Sequence, residues 1–588
     1  MMVSTEKKNS ASNTEAEKIA TITDWHSIDW KRAERQVGIL QKKITDAQEL
    51  KAYRRVKRLQ YVLSHSFYAK ALAVRQVTSN KGKRTAGIDG RAWSTAKQKL
   101  QAVTTLNQGR YHAKPLRRIY IPKGDKQDQR RPLSIPTFYD RAMQKLYAYG
   151  FEPISELHAD VYSYGFRKYR STQDAITRLH ICLSSKHSPK YILDADIAGC
   201  FDNISHDWIL KNVPLPQTIL RQWLKAGYIE EHQLYETNQG VPQGGIISPM
   251  ITNYVLDGLL AYIQEYLKLG YNGKYTKASL YDAKGNQIKP YAKRTEMAKV
   301  NLIRYADDLV CTAKYQEEIP FIKEAIQEFL QERGLMLHPT KTQVVTIEEG
   351  FDFLGWNIRK YKGKLLIKPR KKSVQKLKRT IKEVFDKHRS HKQAALIYEL
   401  NPILRGWANY YRTHVSSKTF TAIDSYIWKS TQKWIRRRHP NKTLTWGNEK
   451  YFCTIGKDRW VFGSKQMYLI RLRKTKIVRH HLIAGSLNYF KEPEKFQKYQ
   501  ATSTLQNRLN HPKMYYLYHR EKGICPYCKV KIEDHLFDIH HIKPKGEKGC
   551  NQWHNLILMH RNCHKTIHAR KERIVRRPNG QWFVQKVQ

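Results

Sequence analysis

The spacing of apolar residues changes several times along the chain. Residues 1–24 are polar and show no period, which predicts a disordered N-terminus. From Trp25 to Thr78 apolar and basic residues recur at helical spacing, as in Tyr53-Arg54-Arg55-Val56-Lys57-Arg58-Leu59. Gly82, Gly87 and Gly90 mark a loop. Arg117 to Lys123 alternates like a strand, Gly124 to Gln129 is a polar turn, and Arg130 to Pro136 returns, predicting a hairpin with a basic rim. Tyr191 to Ile197 is a short apolar strand that carries acids. Leu302 to Val310 is an apolar hairpin with two acids at its tip. Residues 320–333 predict a helix, Gln343 to Ile347 and Phe351 to Ile358 predict strands, and the basic run over 359–438 predicts helices. Strands and helices alternate without a βαβ repeat, so the fold class is multi-domain α+β.

Composition sharpens this picture. A chain of 588 residues implies about four domains at roughly 150 residues each. Lys and Arg total 106 against 51 Asp and Glu, a net charge of +55 that argues for a polyanionic partner. The 36 Tyr and 13 Trp among those cations favour nucleic acid over a membrane surface, because they offer stacking faces. No apolar run approaches the length of a membrane span, and the N-terminus lacks an apolar signal core. The expected setting is a reducing compartment: bacterial cytoplasm, with an organelle as the other setting. Four of the eight Cys lie at 525, 528, 550 and 563, which suggests metal rather than disulfides.

Asp196 ends one apolar strand, and Asp307 and Asp308 sit within another apolar stretch. Buried carboxylates are costly unless paired or bound to metal. Three acids converging from two strands suit two Mg²⁺ ions serving phosphoryl transfer. Near the C-terminus, Cys525-x₂-Cys528 and His560-x₂-Cys563 form two tight pairs suited to a tetrahedral structural Zn²⁺, with Cys550 as an alternative ligand. His564 and His568, four apart on one helix face, can join His540 on a catalytic divalent ion. His541 can then deprotonate water, oriented by Asn555, with Asp538 as an outer partner of the metal ligands.

These residues carry a resemblance. Tyr305-Ala306-Asp307-Asp308, Asp196 to Ile204, Gln239 to Pro249, Ser163 to Ser171, Lys341-Thr342 and Phe353-Leu354-Gly355-Trp356 resemble the ordered blocks of reverse transcriptases. Leu400 to Arg412 resembles the signature of the intron maturase domain. Residues 25–500 are most similar to group II intron reverse transcriptase–maturases, and the C-terminal His/Cys segment resembles the HNH, or ββα-metal, nucleases.

The resemblance implies right-hand fingers and palm over 25–358, a helical thumb or maturase domain over 359–438, a basic DNA-binding region over 439–509 and an HNH zinc module over 510–588. It implies that Asp196, Asp307 and Asp308 bind the catalytic metals and that Phe201 rejects a ribose 2′-hydroxyl. It places Lys123 and Arg131 on the incoming deoxynucleoside triphosphate, Gln243 near the templating pair, and Lys341 near the nucleotide or primer. In the nuclease it makes His541 the general base, His540, His564 and His568 the metal ligands, and Asn555 a positioning residue. The implied partners are intron RNA and target DNA, for splicing and for target-primed reverse transcription. Two departures stand out: Ala198, where many relatives carry Lys, and His560, where relatives usually carry Cys. A stand-alone host or defence reverse transcriptase, and a maturase active only in splicing, are the competing readings.

Overall fold

The structure is a computed structural model that describes residues 24–106, 109, 111–123, 126–267, 300–497, 499, 512–532, 537–547, 549–570, 572–577 and 580–586. The disordered segment expected over 1–24 lies, but for Asp24, outside them. The chain forms two compact units, Met1–Thr380 with Ala484–Lys491, and Ile381–Ile483 with Glu492–Gln588.

The first unit begins with helices α1 (Trp30–Glu49), α2 (Tyr53–His65), α3 (Phe67–Ser79) and α4 (Ala96–Thr105). Asp29 caps α1 by accepting from the amides of Lys31 and Arg32, satisfying donors that a helix start leaves free. The first three pack with α5 (Phe138–His158), which buries Met143, Leu146, Phe151 and Ile154, and α4 packs on α3. The expected basic hairpin is present as β1 (Leu116–Lys123) and β2 (Lys126–Ile135).

The centre of this unit is an antiparallel sheet. Its strands are β3 (Tyr191–Asp196), the pair β4 (Asn301–Tyr305) and β5 (Asp308–Ala313), and β6 (Gln343–Thr346), in spatial order β4-β5-β3-β6. Ile192, Leu193, Leu302, Ile303, Leu309 and Val310 are fully buried within it.

The basic run after Ile358 begins with strands rather than helix. Strands β7 (Phe351–Phe353), β8 (Trp356–Tyr361) and β9 (Lys364–Pro369) form a three-stranded antiparallel sheet, and helix α6 starts only at Lys371 and runs to Lys387. The buried residues Trp356, Ile358 and Lys360 alternate at period two, and the density of charge hid that alternation. Tyr361 faces Lys364 across Lys362-Gly363, both at positive φ (47° and 76°). A two-residue turn of this hand matches strand twist and favours glycine, so the Lys-Gly pair was the overlooked hairpin signal.

The second unit contains helices α7 (Gln393–Tyr411) and α8 (Ser417–Arg438) and a hairpin of β10 (Phe452–Ile455) and β11 (Asp458–Phe462). Leu400, Leu404, Ala408 and Tyr411 of α7 are buried at helical spacing, and Trp407 packs on Tyr411 and Phe420 at 4.5 and 5.9 Å. These signature aromatics therefore serve packing. Further along lie β12 (Phe537–His541), β13 (Leu556–His560) and helix α9 (Arg561–Ala569). Among the described residues no helix is long and apolar enough to cross a membrane.

Candidate active site

Antiparallel register brings the acids together. Asp196 and Asp308 are direct cross-strand partners, so their side chains leave the same face of the sheet. Tyr305 pairs with Asp308, leaving Ala306 and Asp307 as a two-residue turn. Ala306 has φ of 57°, a conformation costly for a residue with a Cβ. Its support comes from Gly165. A Cβ there would lie 2.4 Å from the Ala306 amide nitrogen, so only glycine allows this approach. The Tyr164 amide donates to the Arg304 carbonyl at 3.0 Å, and Asn253 Nδ2 donates to the Gly165 carbonyl at 2.7 Å.

Asp196 and Asp308 open onto a cavity of 600 Å³ also lined by Lys341, Arg370 and Lys372. Recession from bulk water, followed by the charges of Asp307, Asp196 and Asp194, pushes the Asp308 carboxyl up to about 7. Burial also raises Asp307, against the opposing charges of Arg131 and Lys341. Lys341 ion-pairs with Asp196. A carboxylate set that repels itself in this way is suited to divalent cations.

Phe201 follows the end of β3 and meets Phe166 edge-on at 6.4 Å. Gln243 Nε2 donates to the Asp202 carboxylate at 3.1 and 3.2 Å, and the Gln243 carbonyl accepts from the Ser134 amide of β2 at 2.7 Å. The Val241 amide donates to the Phe201 carbonyl at 2.6 Å. The loop carrying Gln243 therefore ties Phe201 to the basic hairpin. Arg131 is exposed on that hairpin opposite Ile121. The backbone of Lys123 pairs with Lys126, and its side chain lies outside the described residues.

At the central sheet, around Arg304 of β4, lies a set of buried charges that sequence reading missed. Arg304 is 1% exposed, ion-pairs with Asp257 and donates to Asn253 Oδ1 at 3.3 Å. Arg167 makes a two-pronged pair with Glu156 at 2.6 and 2.9 Å and donates to the Ser163 carbonyl at 2.7 Å. The signal was an arginine set between apolar residues on a strand, Leu302-Ile303-Arg304. Arg304→Met should destabilise the protein by about 3–5 kcal/mol in chemical unfolding, because Asp257 would stay buried without its cation. Adding Asp257→Asn should restore part of that loss. An unchanged unfolding midpoint would refute the role.

In the second unit, β12 and β13 pair antiparallel from Phe537–His560 to His541–Leu556, and α9 follows at once. His540, His564 and His568 converge, with ligand atoms within 4.8 Å of one another. Burial and the neighbouring imidazoles push His540 down to about 4, so it is neutral and free to ligate at neutral pH. Asp538 lies 3.6 Å from His564 Nδ1. Cys525, Cys528, His560 and Cys563 form a second cluster within the same limit. Cys550 is not part of it; its sulfur lies 3.5 Å from His554 Nε2. Two tight Cys/His pairs of this kind fit a tetrahedral Zn²⁺.

Asn555 does not meet His541 as expected. Its side chain accepts from the Lys543 amide at 2.8 Å and donates to the carbonyls of Lys543 and Cys550 at 3.0 and 2.8 Å. It holds both ends of the loop that leaves His541. The amide beside the imidazole is Asn551, whose Oδ1 lies 2.8 Å from His541 Nε2. Both are asparagines on one loop, and spacing alone does not tell them apart.

Comparison with known proteins accords with this arrangement. Residues 25–106 match the N-terminal domain of reverse transcriptase, and 121–358 match reverse transcriptase (RNA-dependent DNA polymerase). Residues 374–452 match the group II intron maturase-specific domain, and 525–570 match HNH endonuclease. The group II intron-encoded protein LtrA of Lactococcus lactis subsp. cremoris is 27% identical, over 87% of this chain and 95% of its own. Protein YkfC of Escherichia coli (strain K12) is 31% identical, over 48% of this chain and 78% of its own. Among solved structures, telomerase from Candida albicans aligns over 58% of this chain and 61% of its own, at a TM-score of 0.31 and 13% identity. With four families in one order and a nearly end-to-end intron-encoded relative, the chain belongs to the group II intron-encoded reverse transcriptase–maturases with an HNH endonuclease domain, and is both an RNA-directed DNA polymerase and a DNA endonuclease.

Proposed function

We propose that Asp196, Asp307 and Asp308 hold the Mg²⁺ ions of the polymerase, and that this chain copies its own intron RNA from a primer made by its nuclease. The observation that carries the reading is the Asp196–Asp308 cross-strand pair, which faces a cation-rimmed cavity, with Asp307 at the adjoining turn. Bound Mg²⁺ would lower the pKa of the primer 3′-hydroxyl and neutralise the departing pyrophosphate. Arg131, with Lys123 on the same hairpin, would bind the triphosphate. Phe201 would close the sugar pocket against a 2′-hydroxyl, held in place by the Gln243 loop. Lys341, which neutralises Asp196 here, would exchange that partner for nucleotide or primer phosphate as cations arrive.

In the nuclease, His540, His564 and His568 would hold a divalent cation that binds the scissile phosphate. His541 donates Nε2–H to Asn551 Oδ1, which leaves Nδ1 able to take a proton from water. The Cys525, Cys528, His560 and Cys563 cluster would hold Zn²⁺ as a structural element. The basic helices of 371–438 would bind intron RNA, and residues 439–509 target DNA. Boundaries at 24, 358, 438 and 509 describe the proposed domains.

The test uses purified full-length protein. It should extend a DNA primer on an RNA template with Mg²⁺ and deoxynucleotides, and nick duplex DNA carrying its intron target. Absence of extension would overturn the polymerase assignment. His541→Ala should reduce nicking about 10²–10⁴-fold and leave extension unchanged. Equal loss of both activities would contradict separate sites.

A further inference from the structure

Helix α8, the β10–β11 hairpin and residues 469–473 enclose a cleft of 430 Å³ that the reactions above do not use. Four aromatic side chains line it, Trp428, Phe452, Trp460 and the buried Phe462. Trp428 and Trp460 are 40% and 49% exposed, unusual for so large an apolar side chain, and Phe452 lies 4.9 Å from Trp428 and 6.4 Å from Trp460. Lys429 and Arg473 line the same cleft.

The cleft is built rather than incidental. Cys453 pairs with Val461 and Ile455 with Asp458, so Thr454 alone opposes Arg459 and Trp460 in a β-bulge. Bulges re-aim side chains. Trp460 sits there at φ of 57°, which costs energy for a bulky residue. Arg471 holds this backbone by donating to the carbonyls of Arg459 and Trp460. On the far wall the Asp424 carboxylate accepts from the amides of Leu472 and Arg473 at 2.8 and 2.9 Å. Both walls are thus fixed by side-chain-to-backbone hydrogen bonds while the two Trp rings stay open to solvent.

Ring faces flanked by cations suit a nucleobase with its phosphate. A space of this size takes a small-molecule-sized group and not a duplex. We propose that the cleft captures a single unstacked base of an RNA or single-stranded DNA, stacked between Trp428 and Trp460, with Lys429 and Arg473 on its flanking phosphates. The proposal rests on the chain's handling of nucleic acid and is independent of both active sites.

The test measures binding of short labelled oligouridylate and oligodeoxyuridylate to the full-length protein, without nucleotides or added Mg²⁺. An abasic backbone of equal length serves as the comparison. Trp460→Ala should weaken binding of the base-bearing strands roughly 5- to 100-fold, leave abasic binding unchanged, and be largely rescued by Trp460→Phe. Loss on the ribo-strand alone assigns the cleft to RNA, and loss on the deoxy-strand alone assigns it to DNA. Loss on both assigns it to the base itself. No loss, or equal loss on base-bearing and abasic strands, overturns the proposal. Unchanged abasic binding also shows that the variant is folded, and a failure here would leave primer extension and nicking untouched.

Discussion

Asp308→Asn should lower primer extension by about 10³-fold or more while preserving the fold. Asparagine keeps the size of the side chain and removes the charge on which metal binding depends, an effect of several kcal/mol on the barrier. The pH dependence follows from the same site. With Asp308 raised to about 7, the site holds a proton that a cation must displace. Below pH 7, each unit of acidity should raise the Mg²⁺ concentration for half-maximal extension by up to about tenfold. The sign for stability is opposite to that of a salt-bridged acid. The folded protein without metal binds this proton more tightly than the unfolded chain, so stability falls as pH rises from about 4 to 7. At pH 8 the asparagine variant should therefore melt no earlier than wild type when Mg²⁺ is absent. Extension surviving the change, or a Mg²⁺ requirement flat between pH 6 and 8, would remove Asp308 from the metal site.

Removing zinc, or changing Cys525 to Ser, should abolish nicking and spare extension. The C-terminal module has a small core built around Leu517, Phe537, Leu556 to Met559, Ile567 and Ile574, so little apolar burial stands behind it. Structural zinc supplies about 10–16 kcal/mol in small zinc-dependent folds, more than such a module can lose. Cys525 is fully buried in that core, which makes it the sharper of the two knuckle positions to change. The checks are zinc content, limited proteolysis of residues 512–586, and the two activities measured side by side. A zinc-free protein that still nicks would show that the cluster is dispensable.

The convergence of Asp196, Asp307 and Asp308 was legible because each carries its own context: an acid at the end of an apolar strand, and an acid pair between Tyr305 and Val310. The convergence of the Cys/His cluster and of the imidazole cluster was legible from spacing. Arg304, Asp257 and Gly165 were not, because their meaning lies in contacts between segments up to 141 residues apart, from Gly165 to Ala306. The strand residues over 359–369 were obscured by lysines that occupy the exposed positions of a sheet as readily as those of a helix. Asn551 and Asn555 were confused because a loop has no periodicity to tell which amide meets the imidazole.

Helix α9 and the residue before it supply His560 and Cys563 to one cluster and His564 and His568 to the other. A helix turns 100° per residue, so the register of this one segment encodes both sites at once. Inserting or deleting a single codon between Cys563 and His564 would rotate one ligand pair away from its partners, whatever residue was added. Substitution at His568, by contrast, removes a ligand from the imidazole cluster and leaves the Cys/His cluster standing. The gene can therefore lose its nuclease gradually by base changes but keeps no tolerance for length changes across these nine residues.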